Sequence, residues 1–274
     1  MQINFYKTRD KTLKKYINGY YFIKKSANLT SLKYRTFANN YNILSVCSFS
    51  EVHFEGNRIV VRSKADKELS VTAVFRYTDP IEIIYETAVE EITCYFEPLG
   101  LHHFIPEFHH ILHHNHIANF SLFPDFVTRM MEVFNLTNRA QQIEALEEYW
   151  LSKLKEKDLS MMENILSVIE TSDLKTYEVA QQFNLSRQYL HKLFIKYVGK
   201  PPSEYRKIHR FRSSIKRFKN FRNLRTLTFD HFFYDQPHFN KDFKELTETT
   251  PSSFFKNVNT EKEYIWYHTN VELC

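Results

Sequence analysis

The stretch YEVAQQFNLSRQYLHKLFIKYVG, residues 177–199, decides how the C-terminal third of the chain is read. Val179, Ala180 and Phe183 fall on one apolar face of a short helix. Asn184 tolerates a positive φ and predicts the end of that helix, and Ser186 offers a side-chain oxygen to cap the next. In the second helix Leu190, Leu193, Phe194 and Tyr197 line one side. Arg187, Gln188, His191, Lys192 and Lys196 remain outside that stripe. A short helix, a tight turn and a capped helix with an outward polar face predict a helix-turn-helix.

The pattern returns in LTFDHFFYDQPHFNKDFKEL, residues 227–246. Leu227, Thr228 and Phe232 echo Val179, Ala180 and Asn184, and Asp235, Phe239 and Phe243 stand 49 residues after Ser186, Leu190 and Phe194. Asp235 is the expected N-cap, its carboxylate accepting the His238 N–H. Pro237 is tolerated in the first turn, where N–H groups have no intrahelical partner. Gln236, Asn240 and Lys241 then project from one face of the helix start. Between the units, PPSEYRKIHRFRSSIKRF reads as one long helix with Tyr205, Ile208 and Ile215 inward.

Charge follows the same division. Residues 176–256 hold 16 Lys and Arg against 7 Asp and Glu, a surplus of nine, whereas the remaining chain holds 21 against 25, a deficit of four. A basic module of this size points to a polyanion. The 274 residues suffice for two domains. No apolar run is long enough to span a bilayer, so no membrane partner is expected, and the start lacks the apolar segment of a signal peptide. Cys47, Cys94 and Cys274, odd in number and widely spaced, suggest a reducing cytoplasm rather than a disulfide framework.

Upstream, NILSVCSF, RIVVRS, LSVTAVFRYT, IEIIYE and EITCYF read as short strands separated by breaks such as Gly56-Asn57 and Asp79-Pro80. They predict a small barrel or sandwich. The first 40 residues give no clear pattern. From residue 122 the period becomes helical: Phe126, Met130 and Phe134; then Ile143, Leu146, Trp150 and Leu154, with Thr137 or Asn138 as cap; then Met162, Ile165, Leu166 and Ile169. The stripe through Trp150 has two readings, packing on its own barrel or pairing two chains. The fold class expected is α+β: a small N-terminal β-barrel with following helices, then an all-α double helix-turn-helix. The segments are 1–120 for the β domain, 121–172 for a helical linker, 173–260 for the DNA-binding domain and 261–274 for a tail.

The residues 177–256, with LSRQYLHKLFIKYVGKPPSEY, Arg210, YDQPHFNKDFK and TPSSFF, resemble the C-terminal domain of AraC/XylS bacterial transcription regulators. The resemblance implies two recognition helices joined by a rigid helix and entering successive major-groove segments of double-stranded DNA. Carried over by position, it implies base contacts at Gln188, His191 and Lys192 and at Gln236, Pro237, Asn240 and Lys241. Arg187 and Lys196 are placed for phosphates. The family's turn glycine in the second unit is Phe232 here, and a later glycine is Glu248. CYFEPLGLHHFI, residues 94–105, is similar to a Phe-x-Pro-x-Gly stretch in cupin-like sensor domains. That similarity implies an effector pocket without a named ligand, with the cupin metal ligands usually lost. A small-molecule effector, a second copy of the chain and, for an activator, RNA polymerase are the further partners this reading admits.

The rival reading is a metal-binding cupin-type enzyme or metal sensor built on His102, His103, His109, His110, His113, His114 and His116. On a helix, His109 with His113 and His110 with His114 would each form a chelating pair. Pro106 interrupts the run, and no Cys or paired carboxylate follows with metal-site spacing. Neither a nucleophile elbow, a phosphate-cradling Gly loop nor HExxH occurs. Glu90, Glu91 and Glu97 lie in strand-like sequence and are expected to be solvated. No catalytic residue, metal ligand or cofactor is assigned. The reading is a cytoplasmic, sequence-specific transcription regulator.

Overall fold

The computed structural model describes residues 2–24, 32–64, 68–120, 122–221, 236–259 and 267–268. The N-terminal half builds ten strands among these residues: β1 (Gln2–Lys7), β2 (Ile17–Lys24), β3 (Leu32–Thr36), β4 (Asn42–Ser48), β5 (Ser50–Glu55), β6 (Arg58–Ser63), β7 (Leu69–Val74), β8 (Ile81–Tyr85), β9 (Glu91–Phe96) and β10 (His116–Ala118). They form a six-stranded sheet in the order β1-β2-β9-β4-β7-β10 and a four-stranded sheet in the order β3-β8-β6-β5. Neighbours are antiparallel except β6 and β8. The chain crosses between sheets at Phe49, whose φ of 48° turns the corner from β4 into β5.

The six-stranded sheet has two apolar faces. Tyr21, Ile23, Ile43, Cys47 and Tyr95 meet Tyr34, Val61 and Tyr85 of the four-stranded sheet. Tyr20, Phe22, Leu44, Val46, Ile92, Cys94 and Phe96 face the helices α1 (Phe126–Asn135) and α2 (Arg139–Lys153). A strand buried on both faces loses the polar–apolar alternation by which strands are recognised. β2, buried along nearly its whole length, escapes sequence reading for that reason.

The α2 stripe is consumed by the chain's own sheet. Trp150 is fully buried, with its ring 4.9 Å from Phe96 and 5.3 Å from Phe104. Ile143 and Leu146 lie in the same core, so this face packs on the chain's own sheet. Asn138 caps α2, accepting from Ala140 N at 2.8 Å. The Phe-x-Pro-x-Gly stretch follows β9, and its glycine has a steric reason. A Cβ at Gly100 would lie 2.2 Å from the Tyr16 carbonyl oxygen.

The expectation of solvated strand carboxylates is corrected at Glu91, which is 3% exposed. Its Oε1 accepts from the Tyr21 hydroxyl at 2.7 Å and the Thr93 hydroxyl at 2.6 Å, and its Oε2 accepts from the Tyr85 hydroxyl at 2.5 Å. A buried carboxylate persists only when its lone pairs are satisfied in this way. Burial, then the Glu91 charge, pushes the Tyr21, Tyr85 and Cys47 groups well above their ordinary values. Glu97 is raised mainly by burial, and accepts from Asn18 Nδ2 at 2.7 Å.

The C-terminal half contains α3 (Ser160–Thr171), α4 (Thr176–Gln182), α5 (Arg187–Val198), α6 (Pro202–Phe221), α7 (Gln236–Thr247) and α8 (Pro251–Asn257), with two short strands, β11 (Val258–Asn259) and β12 (Tyr267–His268). Met162, Ile165, Leu166 and Ile169 of α3 share one core with α4, α5, Tyr205 and Leu99. The halves are also joined through residues 37–40. Arg212 donates to the Phe37 and Ala38 carbonyls, and Lys200 Nζ donates to the Asn39 carbonyl at 2.7 Å.

Lys200 is 1% exposed, and burial brings its pKa down to about 7 against the pull of Glu204, with Arg76 and Arg212 adding to the depression. In the unfolded chain the amine titrates near 10.5. Between these values the unfolded state holds the extra proton, so this group favours folding more as pH rises. Relative to Lys200→Met, the wild-type chain is expected to gain up to about 1.4 kcal/mol of stability per pH unit near the middle of the window from pH 7 to 10. Urea unfolding at several pH values checks this, with a flat difference as the contrary result.

Candidate nucleic-acid interface

The first unit is built from local chemistry. Val179 and Ala180 are buried against α3 and α5, and α4 ends at Phe183. Asn184 takes φ 55°, and Leu185 N returns to the Ala180 carbonyl at 2.8 Å. Ser186 caps α5, its hydroxyl accepting from Tyr189 N at 3.1 Å. Leu190, Leu193, Phe194 and Val198 hold α5 in the core. Gly199, at φ 74°, then ends it. The opposite side of α5 carries Arg187, Gln188, His191, Lys192 and Lys196, all exposed. Tyr189 is 49% exposed beside them.

In the second unit Gln236 is the first residue of α7, and Pro237, Asn240 and Lys241 are exposed. Lys244, exposed one turn further on, extends the row, and its spacing from Asn240 was the signal for it. Phe239, Phe243 and Leu246 bury the other side against Ile208, Phe211 and Ile215 of α6 and Phe254 of α8. Lys207 of α6 pairs with Glu245 of α7 at 2.5 Å. Thr250 caps α8, and Pro251 begins it. The expected Asp235 cap, the Phe232 turn and the helix carrying Leu227 and Thr228 lie outside the described residues.

Both units lean on α6, whose 20 residues make a rod about 30 Å long. The first core closes on Tyr205, and the second closes on Ile208, Phe211 and Ile215. Not every basic residue of the module faces solvent. Lys200 is buried, and Arg212 is turned toward carbonyls of the first domain.

The histidine run does not form an α-helix. Short 3-10 turns at Gly100–His103 and Phe108–His110 replace it, so the i, i+4 pairing on which chelation depends is lost. His102 and His103 are buried. His102 Nε2 lies 2.8 Å from the Tyr197 carbonyl, and burial pushes its pKa down to about 4. His103 Nδ1 accepts from Lys157 N at 3.2 Å. The His109 and His110 rings lie tilted at 4.1 Å, and those of His113 and His114 at 3.9 Å. Among the described residues no three His, Cys, Asp or Glu converge to hold a metal ion, and no helix is long and apolar enough to cross a membrane.

Residues 179–257 match the family described as a helix-turn-helix domain. Among solved structures the chain is similar to ToxT from Vibrio cholerae, at 13% identity and a TM-score of 0.47 over 93% of this chain and 97% of that one. It is also similar to unsaturated-fatty-acid-bound wild-type ToxT from Vibrio cholerae strain SCE256. There the identity is 15% and the TM-score 0.47, over 86% of this chain and 92% of that one. No curated protein matches the chain.

Glu248 gives the second unit a local test. It occupies the left-handed region at φ 59°, where a side chain costs about 1–2 kcal/mol that glycine avoids. Its partly exposed ion pair with Arg35 is worth about 0–1 kcal/mol. Glu248→Gly is therefore expected to stabilise the chain by about 0.5–1 kcal/mol net. The midpoint of thermal unfolding should rise, and a fall would show that the Arg35 contact outweighs the backbone strain.

Proposed function

We infer from the AraC-type helix-turn-helix domain at residues 179–257 that the chain is a DNA-binding transcription regulator. We further propose that α5 and α7 are two recognition helices that enter successive major-groove segments of one operator. The observation that carries this reading is the exposed row Gln188, His191 and Lys192 on a capped helix whose other face is locked into the core. A recognition helix needs both properties: an outward polar face to meet base edges, and a buried face to fix its approach.

The division of labour follows from side-chain chemistry. Arg187 and Lys196 contact phosphates, displacing counterions and supplying affinity that falls with salt. Gln188, His191, Lys192, Gln236, Asn240 and Lys241 read base edges, and Pro237 offers an apolar contact to a thymine methyl. α6 links the units, so engagement of one holds the other close to its segment. The N-terminal β domain is the regulatory half. A small-molecule effector acts there by favouring one arrangement of the two halves over another.

Selection of bound duplexes from a random pool tests the class. A recovered site with two parts about one helical turn apart is expected. On that site Lys196→Ala should weaken binding equally for all sequences and lower the salt slope by roughly one unit. Gln236→Ala should leave the slope nearly unchanged, cost about 1–3 kcal/mol and relax preference at one base pair. Titrations over a salt series against single-base variants of the site separate the two. A uniform loss for Gln236→Ala would remove it from the base readers.

A further inference from the structure

Among the described residues, the core of the second unit takes in a ring from outside that unit. Amid Ile208, Phe211 and Ile215 of α6, Phe239, Phe243 and Leu246 of α7, and Phe254 of α8 sits Phe37, which belongs to the N-terminal domain. Phe37 is 0% exposed, and its ring lies 4.9 Å from that of Phe254, edge to face. Ala38 is buried in the same cluster. The backbone of this segment is held along its length. Arg212 donates to the carbonyls of Phe37 and Ala38, Lys200 to that of Asn39, and Asn40 Nδ2 donates to the Tyr205 carbonyl at 3.0 Å.

One residue earlier, the chain is tied to the β domain. Thr36 ends β3, where it pairs with Ile81 of β8, and its hydroxyl accepts from the Tyr77 hydroxyl at 2.6 Å. Tyr77 lies in the core between the two sheets. Thr36 and Tyr77 also line a cavity of about 40 Å³ there. A single peptide unit thus separates the core of the β domain from the core beneath α7. The core of the first unit also takes a side chain from the N-terminal half, Leu99, but among the described residues none from 36–40.

We propose that Phe37 is a positioning residue for the second recognition helix: a ring supplied by the N-terminal domain completes the core that sets α7 against α6. This rests on the two-helix reading above. α7 is held through Phe239, Phe243 and Leu246, so an empty space in place of the Phe37 ring removes contacts from the layer that orients it. A displacement at the end of β3 then reaches α7 without passing through α5. The second segment of the operator thereby comes under control of the N-terminal domain through residues 36–38.

The test uses the full chain carrying Phe37→Ala, Phe37→Leu or Arg212→Gln. Amide hydrogen exchange without DNA reads the core directly. Exchange over residues 236–247 should accelerate about 10²-fold or more in Phe37→Ala and less in Phe37→Leu, with residues 176–198 unchanged. Arg212→Gln should accelerate the same residues while leaving the ring in place. Footprinting on the selected site then reads the consequence. Protection over the second segment should be lost in Phe37→Ala and partly restored in Phe37→Leu, while the first segment stays protected. Unchanged exchange over residues 236–247 would overturn the proposal. So would equal loss of protection over both segments, or loss of structure throughout the chain in all three variants. If the wild-type chain protects only one segment, the two-helix reading fails instead, and the exchange data alone decide whether Phe37 orders α7.

Discussion

Burial of one face of α6 is the constraint on which the C-terminal half depends. Tyr205 closes the first unit, Ile208, Phe211 and Ile215 close the second, and all four are 1% exposed or less. An isolated helix gains little stability from its own propensity; packing of an amphipathic face supplies most of it. Here the face is shared. α5, α7, α8 and residues 37–38 all take their position from side chains on one rod. Close packing makes such a core intolerant of a missing ring or a shifted methyl group. A change at either end of α6 is therefore felt as a change in the placement of an exposed polar helix face.

Polar chemistry inside the chain works alongside this packing. Arg212 and Lys200, on or just before α6, spend their donors on backbone carbonyls of residues 37–39. An unpaired buried carbonyl costs about as much as a lost hydrogen bond, so these contacts satisfy a segment that no strand covers among the described residues. Tyr205 adds a second tie, its hydroxyl donating to Glu170 of α3. Glu91 performs the comparable task in the β domain, gathering hydroxyls from β2, β8 and β9 around one carboxylate. The halves meet through directional contacts as well as apolar area, which gives their arrangement a definite geometry.

Much of the site was legible because its chemistry is local. Asn184 at positive φ and Ser186 as a cap follow from the properties of those two side chains, and the row 187, 188, 191, 192, 196 follows from helical spacing. The α2 stripe was legible as a helix, but its partner was not, since periodicity says which face is buried and not what covers it. β1 to β3 fall in the 40 residues that gave no clear pattern. Phe37 left no trace either: it is one of 25 phenylalanines, outside any repeat, and its role exists only once the two halves are together. Lys200 and Arg212 count in sequence only toward the basic surplus, because burial of a cation depends on distant carbonyls that composition does not record.

That last difference bears on how the regulator meets DNA. The surplus of nine positive charges in residues 176–256 counts Lys200 and Arg212, yet both are directed into the protein. Lys207 is paired with Glu245 and Arg210 lies near Asp173, so these too are partly neutralised. The cations left on the outward side of α5 are Arg187, Lys192 and Lys196, and those on α7 are Lys241 and Lys244. On the two-helix reading these five exposed cations stand beside the polar readers. Those cations add non-specific affinity on the faces that discriminate sequence, and the inward cations Lys200 and Arg212 serve the geometry of those faces. Tethering the faces to one rod makes the second engagement intramolecular, so modest contacts on each helix suffice. The same tether makes the gain geometric: a rotation of α7 on α6 forfeits both its own contacts and the effective concentration they confer.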